Sequence, residues 1–193
     1  LYRIEGGYGV EPRWSDVIRR GHIHSYVSRV IEPEEYAGMS NEALIKEIEF
    51  AKQICRDKSL FVKNVYVGGG TPTAISADQL ARILATLNFP YAAEFTVEAG
   101  RPDTITQQKL DVLKKYGVTR ISVNPQTFND DVLQKIGRYH NAEQTLQAYN
   151  LAKSYGFDIN MDLIAGLPTE TLKSFKNNID IAISLNPQNI TVH

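Results

Sequence analysis

Val65-Tyr66-Val67-Gly68-Gly69-Gly70-Thr71-Pro72-Thr73 decides the fold. A short β-branched and aromatic run stops on three glycines and a Thr-Pro-Thr turn, which is how a strand buried in a sheet gives way to a loop. Upstream, Asn41 to Ile54 sets Leu44, Ile45, Ile48 and Ala51 on one helical face. Downstream, Ser76 followed three residues later by Gln79 is a capping box that opens a helix reaching Leu87. Glu94 to Glu98 is the next strand, Thr106 to Tyr116 a helix closed by Gly117, and Thr119 to Val123 a strand in which Arg120, Ser122 and Asn124 alternate with Ile121 and Val123.

The same grammar repeats. Ala142 to Tyr155 reads as a helix closed by Gly156, Asp158 to Ile164 as a strand, Thr169 to Leu185 as a helix and Asn189 to His193 as a strand. Strand and helix in alternation make the class α/β with a parallel sheet. At 193 residues the chain suits one domain and is short for a complete eight-unit barrel, so the expectation is an open, partial parallel barrel of six units.

Bulk properties exclude more than they name. A net charge of −1 supplies no field for nucleic acid or an anionic membrane surface, so neither is expected as a partner. No apolar run approaches the roughly 18 residues that span a bilayer, and the N-terminus lacks the order of a signal peptide, so the expected setting is cytoplasmic. The single cysteine, Cys55, lies among Phe50, Ala51 and Ile54 and reads as a structural thiol. It cannot form an intramolecular disulfide or a metal site built from cysteines alone.

In parallel β/α barrels the working residues collect at the carboxyl ends of the strands. Here those ends deliver Gly68, Gly69, Gly70 and Thr71, then Glu98, then Asn124 and Gln126, then Asn160 and Asp162, then His193. A carboxylate inside an apolar strand is costly unless something is paired or bound there. The glycines remove side chains so that a ligand can approach the main chain. Taken alone, the loop also fits a tight strand-to-helix connection or a phosphate cradle.

Five ordered blocks form a recognisable set: 65–73, Thr-Val-Glu-Ala-Gly-Arg-Pro-Asp at 96–103, Arg-Ile-Ser-Val-Asn-Pro-Gln-Thr at 120–127, Ile-Gly-Arg-Tyr-His at 136–140, and Asn-Met-Asp-Leu-Ile-Ala-Gly-Leu-Pro at 160–168. Together they resemble the oxygen-independent coproporphyrinogen III oxidase family of radical S-adenosylmethionine (SAM) proteins, over about residues 36–193. The resemblance implies a radical SAM core over residues 25–193 that binds SAM through the loop from Gly68. Gly69, Gly70 and Thr71 would hold the methionine part, and Glu98, Gln126, Arg138 and Asp162 the charged and ribose portions. Carboxylates for an ammonium and hydroxyls, and a guanidinium for a carboxylate, suit that ligand.

The resemblance also implies a [4Fe-4S] cluster on a Cys-x3-Cys-x2-Cys segment after the first strand. The sequence has no such segment. Gly21 to His24 resembles the strand before it, and Ser25 with Tyr26 the residues after its last cysteine. The segment is therefore expected between His24 and Ser25, either missing from the sequence or lost in a lineage that gave up its cluster. Residues 1–24 are otherwise unplaced, and His22 and His24 read as structural. By resemblance the activity is oxidative decarboxylation of tetrapyrrole propionates in haem biosynthesis, through a 5′-deoxyadenosyl radical, with an electron donor for the cluster. A haem-binding or haem-delivering relative is the second reading, and a cluster-independent lyase or isomerase using Glu98 or Asp162 is the third.

Overall fold

A computed structural model describes residues 41–90 and 92–193. The expected first strand, Gly21 to His24, the junction of His24 with Ser25 and the unplaced segment 1–24 lie outside the described residues. Within them runs one five-stranded parallel sheet in chain order: β1 Asn64–Val67, β2 Glu94–Glu98, β3 Arg120–Ser122, β4 Asp158–Leu163 and β5 Asn189–Val192. Helix α1, Glu42–Asp57, precedes β1. Then α2, Ala77–Thr86, joins β1 to β2, and α3, Gln107–Lys115, joins β2 to β3. Two helices, α4 Asp130–Lys135 and α5 Ala142–Ser154, lie between β3 and β4, and α6, Leu172–Leu185, leads to β5. This is the α/β partial barrel anticipated above.

Period-two alternation divides the sheet into two faces. Val65, Phe95, Val97, Ile121, Ile159, Met161 and Leu163 point to one side and build the core with Leu80 and Leu84 of α2, Leu110 and Leu113 of α3, Tyr149 and Ala152 of α5 and Ala182 of α6. The opposite face is polar in every strand. Helices covering only one face distinguish a barrel wall from a doubly wound sheet, whose two faces are both apolar.

The helix ends follow their local chemistry. Ser76 and Gln79 form the expected capping box, and Asn141 with Gln144 forms a second. Gly117 and Gly156 close α3 and α5 at φ +76° and +69°, a backbone region that costs glycine little.

Besides one-residue shifts at strand ends, two differences from the sequence reading stand out. Helix α4 was not foreseen. It has 6 residues, too few for a periodic signal, and stands on its cap, where Asn129 Oδ1 accepts from the N–H groups of Asp131 and Val132. Helix α6 starts at Leu172 rather than Thr169, because Thr169 takes φ +67° and the Glu170 N–H donates to the Leu167 carbonyl, making a turn first. Cys55 is buried as expected, and burial raises its thiol pKa, but its neighbour Phe50 is exposed.

Candidate cofactor site

The loop after β1 is built against Glu98, the last residue of β2. The Gly69 N–H donates to Glu98 Oε2 at 3.0 Å, and the Tyr66 hydroxyl donates to Glu98 Oε1. A Cβ on Gly68 would stand 2.5 Å from Tyr66 Cε1 and 3.1 Å from Glu98 Cδ, so only glycine fits the cradle. Gly69 and Gly70 take φ +87° and +59°. Partial burial, and then the hydrogen bond to Glu98, push the Tyr66 phenol well above its usual pKa. Behind the loop, the Thr73 hydroxyl donates to the Ala99 carbonyl at 3.1 Å and the Lys109 ammonium donates to the Thr73 carbonyl. These bonds tie the ends of β1 and β2 into one platform.

The ends of β3 and β4 are tied differently. The Gln126 N–H donates to the Asp162 carbonyl at 3.0 Å, and the Gln126 carbonyl accepts from Ile164 N–H at 2.9 Å. These main-chain bonds extend the ladder one step beyond β3, with Gln126 at φ +65°. That left-handed backbone is unusual for a side chain of this size. A buried network anchors it: the Thr127 hydroxyl donates to Glu170 Oε1 at 2.9 Å, Asn178 Nδ2 donates to Thr127 Oγ1 at 2.9 Å and to Glu170 Oε1 at 2.7 Å, and Phe128 N–H donates to Asn178 Oδ1 at 2.9 Å.

Between these supports lies a cleft of about 350 Å3 over the polar face of the sheet. Glu98 and Asp162 line its upper level with His193, whose Nε2 is 3.8 Å from Asp162 Oδ2. Asn160 Nδ2 donates to Asp162 Oδ1 at 2.7 Å. Lower down, Arg120 and Glu94 form an ion pair at 3.4 Å, and the Thr191 hydroxyl donates to Asn160 Oδ1 at 3.1 Å. The carboxylates of Glu94, Glu98 and Asp162 face a single guanidinium, that of Arg120, so the lining is net acidic. It attracts a cationic ligand.

Arg138 is elsewhere. It does not line the cleft but stands in the loop after α4, with Arg101, Asp103 and His140. Burial, and then the Arg101 guanidinium, lower its pKa, while Asp103 opposes the shift. His140 is 3% exposed, and neither ring nitrogen makes a well-formed hydrogen bond. Burial pushes its pKa down against the pull of the nearby Pro125 carbonyl.

Of the residues singled out in the sequence, Gly68, Gly69 and Glu98 are in contact, Asp162 lines the same cleft as Glu98, and Gln126 joins Asp162 through the main chain. Gly70 and Thr71 continue the loop, with the Gly70 carbonyl 4.0 Å from the Cβ position of Gly100. Tyr66, Glu94, Thr96, Ser122, Asn189 and Thr191 also line the cleft and were not selected from the sequence. Counting back by twos from Glu98 finds Thr96 and Glu94, the signal that was available.

The family model for the radical SAM superfamily matches residues 26–182. The chain belongs to the radical SAM superfamily. Within it, the chain is similar to the oxygen-independent coproporphyrinogen-III oxidase-like protein HemZ of Bacillus subtilis, 44% identical over 144 residues, which are 72% of this chain and 29% of that protein. It is also similar to the heme chaperone HemW of the same organism, 37% identical over 153 residues, 76% of this chain and 40% of the relative. Among solved structures, coproporphyrinogen III oxidase (HemN) from Escherichia coli superposes with a TM-score of 0.70 at 30% identity, over 86% of this chain and 38% of that one. The chain thus spans less than half the length of these relatives.

Radical SAM proteins use SAM and a [4Fe-4S] cluster. The residues present fit the first: the loop is stripped of side chains where a Cβ would collide, and it abuts an acidic cleft suited to a sulfonium and an ammonium. They do not fit the second. Cys55 is the one cysteine of the sequence and is buried, and no group of three metal-ligating side chains occurs among the described residues. Among the described residues, no helix is long and apolar enough to cross a membrane.

Proposed function

We propose that residues 25–193 are the SAM-binding core of a protein of the coproporphyrinogen oxidase type whose ligand is a tetrapyrrole. The observation that carries the SAM reading is the Glu98 carboxylate held under Gly68 by the Gly69 N–H and the Tyr66 hydroxyl. Both carboxylate oxygens are thereby oriented, Oε2 by Gly69 and Oε1 by Tyr66, and the group lines the cleft, where its remaining lone pairs can accept from the ammonium of a methionine. The Thr71 hydroxyl and the main chain of Gly69 and Gly70 would receive the rest of the amino acid. Gln126 and Asp162 would take the ribose hydroxyls, whereas Arg138 stands outside the cleft in the neighbouring loop cluster. Bound SAM supplies the superfamily's hydrogen-abstracting chemistry, and its iron–sulfur component needs thiolates beyond Cys55.

For the tetrapyrrole, oxidative decarboxylation of propionates is the first reading, with an electron donor as a further partner. Haem carriage is the second, favoured by the several similar proteins named heme chaperones. The superfamily match gives no support to a cluster-independent lyase or isomerase.

Anaerobic calorimetric titration of SAM into the complete protein tests the core claim. The expected result is binding that Glu98→Gln weakens about tenfold or more, the loss of a charge-assisted hydrogen bond. Absence of binding, or binding indifferent to Glu98→Gln, would overturn it. Formation of 5′-deoxyadenosine with a decarboxylated porphyrinogen separates the oxidase from a carrier, which instead retains haem stoichiometrically.

A further inference from the structure

The acidic cleft is a poor place for a ligand's carboxylates, and a tetrapyrrole with propionates carries several. The loop cluster beside it has the opposite balance. Arg101 donates to Asp103 through both Nε and Nη2, at 3.2 and 3.1 Å, which fixes the orientation of its guanidinium. The Arg101 Cζ lies 5.9 Å from the centre of the Tyr139 ring, and Tyr139 is 87% exposed. Arg138 has no carboxylate within ion-pair distance among the described residues. Two guanidiniums therefore share one aspartate, beside an aromatic ring presented to solvent. A guanidinium whose charge is only partly answered, with a flat apolar surface next to it, complements a planar ligand that bears carboxylates.

We infer that Arg101, oriented by Asp103 and flanked by Tyr139, reads a propionate carboxylate of the tetrapyrrole at the rim, where Arg138 leaves the cluster net positive. This rests on the reading of the preceding section. It assigns the substrate's charged edge to the loop following β2 and its macrocycle to the Tyr139 side. The chemistry called for is a carboxylate, which either SAM or the tetrapyrrole could supply, so both affinities are measured.

The test uses the complete protein, with coproporphyrin III and its tetramethyl ester as probes followed by absorbance, and SAM followed by calorimetry. Arg101→Ala is expected to weaken coproporphyrin III about tenfold, the value of one charge-assisted hydrogen bond, while SAM stays within about twofold. The uncharged ester is expected to bind weakly and to ignore the substitution. Asp103→Asn keeps the shape of the loop and removes the competing charge, so it should tighten coproporphyrin III by about two- to threefold. If Arg101 serves only to shape the loop, Asp103→Asn weakens binding as Arg101→Ala does, and that result overturns the inference. So does an unchanged affinity in Arg101→Ala, or a loss that falls on SAM instead. If the wild-type protein binds SAM but neither porphyrin nor haem, the tetrapyrrole reading itself falls and takes the inference with it. If porphyrin binds the wild type and Arg101→Ala equally well, the inference alone falls.

Discussion

On the helix-covered face of the sheet, Val97, Ile121, Met161 and Leu163 are wholly removed from solvent, whereas Thr96, Glu98, Asn160 and Asp162, one residue away along the same strands, line the polar cleft. Both faces come from the same backbone hydrogen bonds. The outer face holds the fold together by burying apolar area. The inner face adds little to stability because its polar groups exchange water for one another at small net gain. That leaves it free to carry polar groups, and its lining is net acidic. The rim cluster is a third case, polar like the inner face, with His140 buried and Tyr139 exposed.

Shortening an outer-face side chain should have the largest effect. Leu163→Ala is expected to lower stability by about 2–5 kcal/mol, read as a lower denaturant midpoint with unchanged slope. Its inner-face neighbour supplies the contrast, since Asp162→Asn should cost under about 1 kcal/mol while reducing SAM affinity. Equal losses of stability would break the division between the faces.

An intermediate effect is expected at the loop. Gly68→Ala forces a Cβ against Tyr66 and Glu98, an overpacking worth about 1–3 kcal/mol, and should appear mainly as weakened SAM binding. Tyr66→Ala in the same chain restores the space but removes the hydroxyl that holds Glu98, so the double variant should recover part of the stability, read by urea unfolding, without recovering the affinity.

The smallest effect belongs to the rim. The pKa of folded His140 is lowered, whereas the unfolded ring titrates near about 6.5. Below that pH the unfolded chain binds the extra proton first, so stability should decline as the solution is acidified, while the contribution is complete above it. His140→Gln should flatten that part of the urea-stability profile between about pH 7 and 5. An unchanged slope would assign the acid sensitivity to other groups.

Much of the fold was legible because its signals are local. The strand Glu94–Glu98 and the capping box at Ser76 depend on residues within a few positions of each other. Helix α4 was illegible because its stability comes from one cap and from packing Val132 and Leu133, not from a repeating pattern. In the site, the strand-end residues could be read, since barrel topology collects them. The separation of Arg138 from Glu98 and Asp162 could not, because it depends on where two loops pack.

What the sequence alone determined is the alternation of strand and helix, the ends of most helices and the set of polar residues at the strand ends, all consequences of backbone geometry over a few residues. What only the tertiary structure decided is who meets whom. Register sets Glu98 beside Ser122, Ser122 beside Asn160 and Asn160 beside Asn189, and it is packing against helices such as α5 and α6 that selects that register. An acidic cleft and a basic rim therefore arise from residues whose separation in the chain carries no trace of either.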